Sequence, residues 1–231
     1  MIKHVIFDFF GTISDTGTSS VDATAKILNN VGFSMDPSEF YKEWKAIKRV
    51  RMDEEPFLSE KELYAVLLGE MFQKYGIDKD AGLEVRPYID MLFGDRKIFT
   101  DAKQCIDDLR SMGLDVVIGS TTDNDVLKHH LQMYGLGGLR CFTSEDFKVY
   151  KPNPHFYEGI LRETGWKPSE CLFIGDSLGD DISGPKKAGM KAVWLSRKGK
   201  ALELPEGAEG PDSIITSLAE LPGYIQKENM R

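Results

Sequence analysis

Val5-Ile6-Phe7-Asp8-Phe9-Phe10-Gly11-Thr12 is the stretch that decides how this chain folds. An apolar run ends in a single carboxylate, Asp8, and Gly11 and Thr12 then turn the backbone. Such a run marks a strand buried on both faces, as in a parallel sheet. Open α/β sheets bind ligands beyond the carboxyl ends of their strands. Asp8 therefore stands where a nucleophile or a metal ligand would be useful. Many strands also end in Asp as a simple turn or cap residue, so the later strands must decide.

Helical patterns follow without an intervening strand. Residues 21–31 form one, and Asp36-Pro37-Ser38-Glu39 opens another that runs to about residue 50. Ser59-Glu60-Lys61-Glu62 is a capping box, with Leu63, Val66, Leu67 and Met71 at helical spacing behind it. A further amphipathic segment covers roughly 83–93. Residues 15–93 thus read as a small all-α unit. Beyond it, strands at 114–120, 141–143, 171–176, 191–195 and 213–215 alternate with helices at 101–112, 123–134, 153–165, about 180–188 and after 216. Alternation of this kind implies a parallel sheet with helices on both faces. The expected fold is α/β, with a core of residues 1–14 and 94–231 interrupted after its first strand by a helical insert at 15–93. The loops at 14–20 and 93–95 would be its hinges.

With 231 residues, 41% of them hydrophobic, the chain has enough apolar material for a sizeable core. A formal charge of −8 argues against a broad nucleic-acid or membrane surface but allows a local basic pocket. Cys105, Cys141 and Cys171 show no metal-ligand spacing and fit reduced thiols, Cys141 and Cys171 as core residues. No signal-peptide pattern and no membrane-length apolar run is present. The expectation is a soluble cytoplasmic protein acting on a small molecule, without nucleic-acid or membrane partners. Oligomeric state is not legible.

The strand ends share one edge of the sheet. The first carries Asp8, the second Ser120 and Thr121, and Lys148-Val149-Tyr150-Lys151-Pro152 follows the third. The fourth carries Gly175-Asp176-Ser177-Leu178-Gly179-Asp180-Asp181. Asp8, Asp176 and Asp181 crowded together would raise one another's pKa values unless a cation sat among them. All-oxygen carboxylate ligation is Mg²⁺ chemistry. The metal would shield a phosphate dianion from anionic Asp8, while Lys151 and Ser120 held the other phosphoryl oxygens. Asp180-Asp181 as a plain helix N-cap pair is the bland alternative.

These motifs resemble those of the haloacid dehalogenase superfamily of hydrolases. Asp8-Phe9-Phe10-Gly11-Thr12 is similar to its first motif, Ser120 closing an apolar strand to its second, and Lys151-Pro152 to its third. Gly175-Asp176-Ser177, Asp181, Gly184 and Ala188-Gly189-Met190 are similar to its fourth. The resemblance covers nearly the whole chain. It implies a Rossmann-like core with an α-helical cap of the first type and Asp8 as nucleophile. The implied metal ligands are Asp8, the backbone carbonyl of Phe10 and Asp176, with Asp181 acting directly or through water.

One position departs from the pattern. Phosphatases of this superfamily carry a second Asp two residues after the nucleophile, as general acid and base, and here that position is Phe10. Three readings follow. The first is a metal-dependent phosphohydrolase with an acid-base group from elsewhere, or with a good leaving group such as an acyl phosphate. The second is a 2-haloacid dehalogenase, a metal-independent relative that lacks the second Asp but usually also the Asp at position 176. It would need a cap arginine and aromatic residues, for which Trp44, Arg49 and Arg51 are available. The third is a non-catalytic relative that binds a ligand or a protein partner. Phosphonate hydrolysis through Lys45 or Lys48 is a minor fourth.

Among the remaining residues, Phe9 reads as core, and Phe10 faces the site edge or cap, where it could exclude water or pack on substrate. Asp15 is a speculative substitute acid-base group. Lys148 reads as solvated, His129 and His130 as structural, and Lys48-Arg49-Val50-Arg51 as a solvated helix face.

Overall fold

The computed structural model describes residues 1–204 and 209–230. The chain begins with β1 (His4–Phe7) and β2 (Ser14–Asp15). A helical block follows: α1 (Ser19–Val31), α2 (Pro37–Arg51), α3 (Glu60–Tyr75), α4 (Ala81–Glu84) and α5 (Arg86–Leu92). Next come β3 (Lys97–Ile98), α6 (Ala102–Ser111), β4 (Asp115–Ser120), α7 (Asn124–Met133) and β5 (Arg140–Thr143). After α8 (Ser144–Phe147) and α9 (Pro154–Thr164) the chain runs into β6 (Cys171–Gly175) and α10 (Gly184–Lys187). It closes with β7 (Lys191–Leu195), β8 (Ser213–Ile215) and α11 (Leu221–Asn229).

Six strands form one parallel sheet in the order β5-β4-β1-β6-β7-β8. The first strand lies inside it, with Phe7 beside Ile118 of β4 and Ile174 of β6. The order reverses at β1, which puts the crevice of an open α/β sheet at the end of this strand. Alternation along β1 feeds two cores: Val5, Phe7 and Phe9 pack against α6, α7 and α11, whereas Ile6 packs with Phe156, Ile160 and Phe173 on the opposite face. Fully buried side chains of this size each contribute about 1.5–3 kcal/mol, so this sheet is a stiff platform for whatever lies at its edge.

The helical block has its own core around Phe40, Trp44, Tyr64, Leu67 and Tyr88. Asp36 caps α2 by accepting from the Ser38 and Glu39 N–H groups, and Ser59 with Glu62 closes the expected capping box on α3. Four expectations need correction. The segment at 83–93 is two short helices that break at Val85, because Pro87 belongs to the first turn of a new helix and cannot donate to an old one. Residues 180–188 are a π-helical turn over Leu178–Ser183 followed by α10, not one α-helix. The passage after Thr12 is not all loop: Ser14–Asp15 pairs antiparallel with Lys97–Ile98, so the two crossings into the helical block form a small ribbon. The last helix starts with a 3₁₀ turn, Leu218–Glu220. Among the described residues no helix is long and apolar enough to cross a membrane.

Candidate active site

Asp8 continues β1 by one residue, its N–H donating to the Ile174 carbonyl at 2.8 Å. Its carboxylate is buried, with Oδ2 accepting from Thr12 Oγ1 at 3.0 Å and Oδ1 from Lys151 Nζ at 2.8 Å. Lys151, only 2% exposed, also donates to Asp181 Oδ1 at 2.7 Å and to the Gly119 carbonyl at 3.2 Å. The loop after α8 therefore delivers one ammonium to groups from three strands. Asp181 is oriented on its other side by the Ser177 N–H, which donates to Oδ2 at 2.9 Å.

Two glycines make room for this cluster. Gly11 has φ +96°, and a Cβ there would lie 2.6 Å from Asp176 Oδ1. A Cβ on Gly175 would collide with the Asp181 carboxyl. Asp8, Asp176 and Asp181 each offer a carboxylate oxygen within 4.8 Å of the others. Burial drives Asp8 above the ordinary carboxylate range, against the pull of Lys151 and with the push of Asp176. Burial likewise lifts Asp181 to about 7. Asp176 keeps an exposed edge, but its carboxylate is drawn out of bulk water and, with Asp181 repelling it, rises to about 6. Three carboxylates against one ammonium leave the site short of positive charge. This all-oxygen set fits a hard divalent cation.

A cavity of about 120 Å³ opens over these groups, lined also by Ser120, Thr121 and Phe10. The Ser120 and Thr121 hydroxyls are buried without a hydrogen-bond partner, which leaves two donors for a ligand's oxygens. Every site residue expected from sequence, Asp8, Phe10, Ser120, Thr121, Lys151, Asp176 and Asp181, lines this one cavity. Phe9 turns away into the core, as expected.

A larger cleft of about 450 Å³ adjoins it, between the sheet edge and the helical block. Phe10, Thr121 and Asp180 line both spaces and form the neck between them. Here the sequence reading falls short. Lys48 is not solvated: it is half-buried in the cleft wall and bonds Glu60 at 2.8 Å, whereas Arg49 is exposed as expected but also lines the cleft and bonds Asp180 at 2.8 Å. Tyr41, Lys45 and Lys48 recur at helical spacing on the flank of α2 beside Phe40 and Trp44, Tyr41 and Lys48 both resting against the Trp44 ring, and two lysines bordering an apolar face were the available signal. Arg96 also lines the cleft, and nothing in its sequence surroundings marks it. Trp44 is core of the helical block and Arg51 pairs with Glu54 and Glu70, so neither reaches the site. Asp15 is exposed and lines a further cleft beside Arg197 that is bordered also by Asp176, but it does not line the Asp8 cavity itself. Lys148 is solvated, and His130 is buried with Nε2 2.7 Å from the Leu92 carbonyl, both as expected.

Residues 2–189 match the family model of the haloacid dehalogenase-like hydrolases. Over 98% of both chains the sequence is 29% identical to a glyceraldehyde 3-phosphate phosphatase of Methanopyrus kandleri. It is also 29% identical to (S)-2-haloacid dehalogenase 4A of Burkholderia cepacia, over 56% of this chain and 55% of that one. In three dimensions it is similar to the L-2-haloacid dehalogenase of Xanthobacter autotrophicus, with a TM-score of 0.77 at 21% identity, covering 98% of this chain and 99% of that one.

Proposed function

The chain belongs to the haloacid dehalogenase-like hydrolases, and we propose that within this family it is a magnesium-dependent phosphohydrolase acting on a small phosphorylated metabolite. The observation that carries the reading is the gathering of Asp8, Asp176 and Asp181 within 4.8 Å around a single lysine. A metal-independent dehalogenase has no use for this excess of negative charge. The phosphatase of Methanopyrus kandleri, similar along almost the whole chain, supports the same choice.

In this mechanism Asp8 is the nucleophile. Its carboxylate oxygen bonds to phosphorus while the bond from phosphorus to the leaving oxygen breaks, the electron pair going to that oxygen. Water then attacks the phosphorus of the aspartyl phosphate, the bond from phosphorus to the Asp8 oxygen breaks with its electron pair returning to the carboxylate, and the water's proton leaves on the released phosphate or to solvent. Lys151 and the free hydroxyls of Ser120 and Thr121 hold phosphoryl oxygens as charge shifts between them. Asp8, Asp176, Asp181 and the Phe10 carbonyl would hold Mg²⁺, which when bound offsets phosphoryl charge. Phe10 donates no proton, so the leaving oxygen must depart as a stable anion or take its proton from water. Acyl phosphates and similarly activated esters fit best. Residues 15–93 act as a cap over the core of 1–14 and 94–231, its cleft shielding the leaving group.

A specific observation favours a second reading, 2-haloacid dehalogenase: Phe10 forms an apolar wall beside Asp8 where halide would need no proton. One assay separates the two. Phosphate release from acetyl phosphate and p-nitrophenyl phosphate that needs Mg²⁺ and is abolished in Asp8→Asn supports the first. Halide release from 2-chloropropionate in chelator supports the second.

A further inference from the structure

Four cations, Lys45, Lys48, Arg49 and Arg96, line the cleft beside the Asp8 cavity, against two carboxylates, Glu60 and Asp180. The carboxylates are already committed: Glu60 to Lys48, Tyr64 and Thr122, and Asp180 to Arg49. Lys45 and Arg96 form no ion pair among the described residues. In a chain of net charge −8, this cleft is left with two positive charges.

Arg96 is the more constrained of the two. Its guanidinium carbon lies 5.1 Å from the centroid of the Phe10 ring, at the neck between cleft and cavity. Nη2 donates to the Met91 carbonyl at 3.3 Å, while Nε is buried with no partner at all. Burial pulls its pKa below the ordinary guanidinium value, as expected of a partly desolvated cation lacking a carboxylate. Leaving such a donor unmatched is costly, and the deficit is removed when an anion enters. The guanidinium that lines the cleft, in no ion pair among the described residues, is a planar group whose N–H donors fit the two oxygens of a carboxylate.

We propose that Arg96, assisted by Lys45, recognises a carboxylate on the substrate, so that the natural substrate is a small phosphorylated carboxylic acid. This rests on the phosphohydrolase reading: the phosphoryl group lies over Asp8 and the carboxylate passes the Phe10 neck into the cleft. Phe10 then serves as the platform on which the guanidinium is stacked.

The test compares 3-phosphoglycerate with glycerol 3-phosphate, which differ at the carboxylate. In wild type with Mg²⁺, kcat/KM favours 3-phosphoglycerate, and Arg96→Met lowers that ratio by about 10- to 100-fold, the range of a charge-assisted pair. Arg96→Lys, which keeps the charge but loses the fork, retains part of the preference. A wild type without preference, or a preference that survives Arg96→Met, overturns the assignment. The same pair is measured by calorimetric binding to Asp8→Asn, which needs no turnover. Both esters have poor leaving groups, so the phosphohydrolase reading is judged on acetyl phosphate, whose lack of Mg²⁺-dependent turnover would count against it, and the carboxylate site is judged on the binding comparison. A binding preference lost in Arg96→Met still upholds the carboxylate site, and equal binding of both ligands removes it.

Discussion

The Lys151 ammonium lies 2.8 Å from Asp8 Oδ1, and the same nitrogen reaches Asp181 at 2.7 Å. One cation thereby braces the group proposed to attack and a group proposed to hold metal. Truncating it leaves two buried carboxylates facing each other, and breaking a buried pair in this way costs about 3–5 kcal/mol. Lys151→Met should lower the urea midpoint strongly in chelator, and Mg²⁺ should restore more stability to this variant than to wild type. Phosphate release should fall at least about 100-fold. A variant as stable and as active as wild type would show that Lys151 is only a spectator.

Phe10 stands where the phosphatase motif that this chain resembles has an Asp, and its ring packs on His130 at 5.4 Å and on Arg96 at 5.1 Å. Phe10→Asp should lose stability from this packing yet gain activity on poor leaving groups. General acid catalysis is worth about 10² to 10⁴, so glycerol 3-phosphate turnover should rise by up to that range. Acetyl phosphate, whose leaving group needs no proton, should gain little. Equal changes on both substrates would mean the new carboxyl does not act as the acid.

Asp123 precedes α7 but does not cap it with its side chain; it accepts instead from the Glu60 and Lys61 N–H groups of α3, at 2.6 and 3.2 Å. It thus ties the helical block to the loop that carries Ser120 and Thr121. Asp123→Ala should cost about 1–2 kcal/mol as a lost helix cap. It should also speed tryptic cleavage at Arg96 and Lys97, beside the proposed hinge. Vanadate with Mg²⁺ should slow that cleavage in wild type, and an unchanged digestion pattern would count against cap closure.

Glu60 supplies the pH dependence. Burial works to raise its pKa, but Lys48, Tyr64 and Thr122 prevail and hold it below the ordinary carboxylate value. A depressed folded-state pKa contributes stability that is present above the unfolded value, about 4.3, and is lost as pH falls through the folded one. Glu60→Gln should therefore be less stable than wild type at pH 7, with the gap closing towards pH 3. Urea unfolding at both pH values reads this directly. A gap independent of pH would place the loss in packing rather than charge.

Much of this was legible in the sequence because strand ends carry their chemistry locally. Asp8, Ser120 and Asp176 each close an apolar run, Lys151 and Asp181 lie in the segments that leave the third and fourth such strands, and a parallel sheet brings such ends to one edge whatever the details. The cleft was less legible. Lys48 looks solvated on α2 until α3 brings Glu60 against it, and Arg96 acquires meaning only from Phe10, 86 residues away in the chain. The break at Val85 was signalled by Pro87, but the β2–β3 ribbon was not, since two-residue strands leave no periodicity to read.

The measurement that tests the central claim most directly is phosphate release from acetyl phosphate, 3-phosphoglycerate and p-nitrophenyl phosphate, with Mg²⁺ and with chelator, in wild type and Asp8→Asn. Release that requires Mg²⁺ and disappears in Asp8→Asn is the predicted result. No phosphate release, together with chelator-insensitive halide release from 2-chloropropionate, would contradict the account and make the protein a dehalogenase.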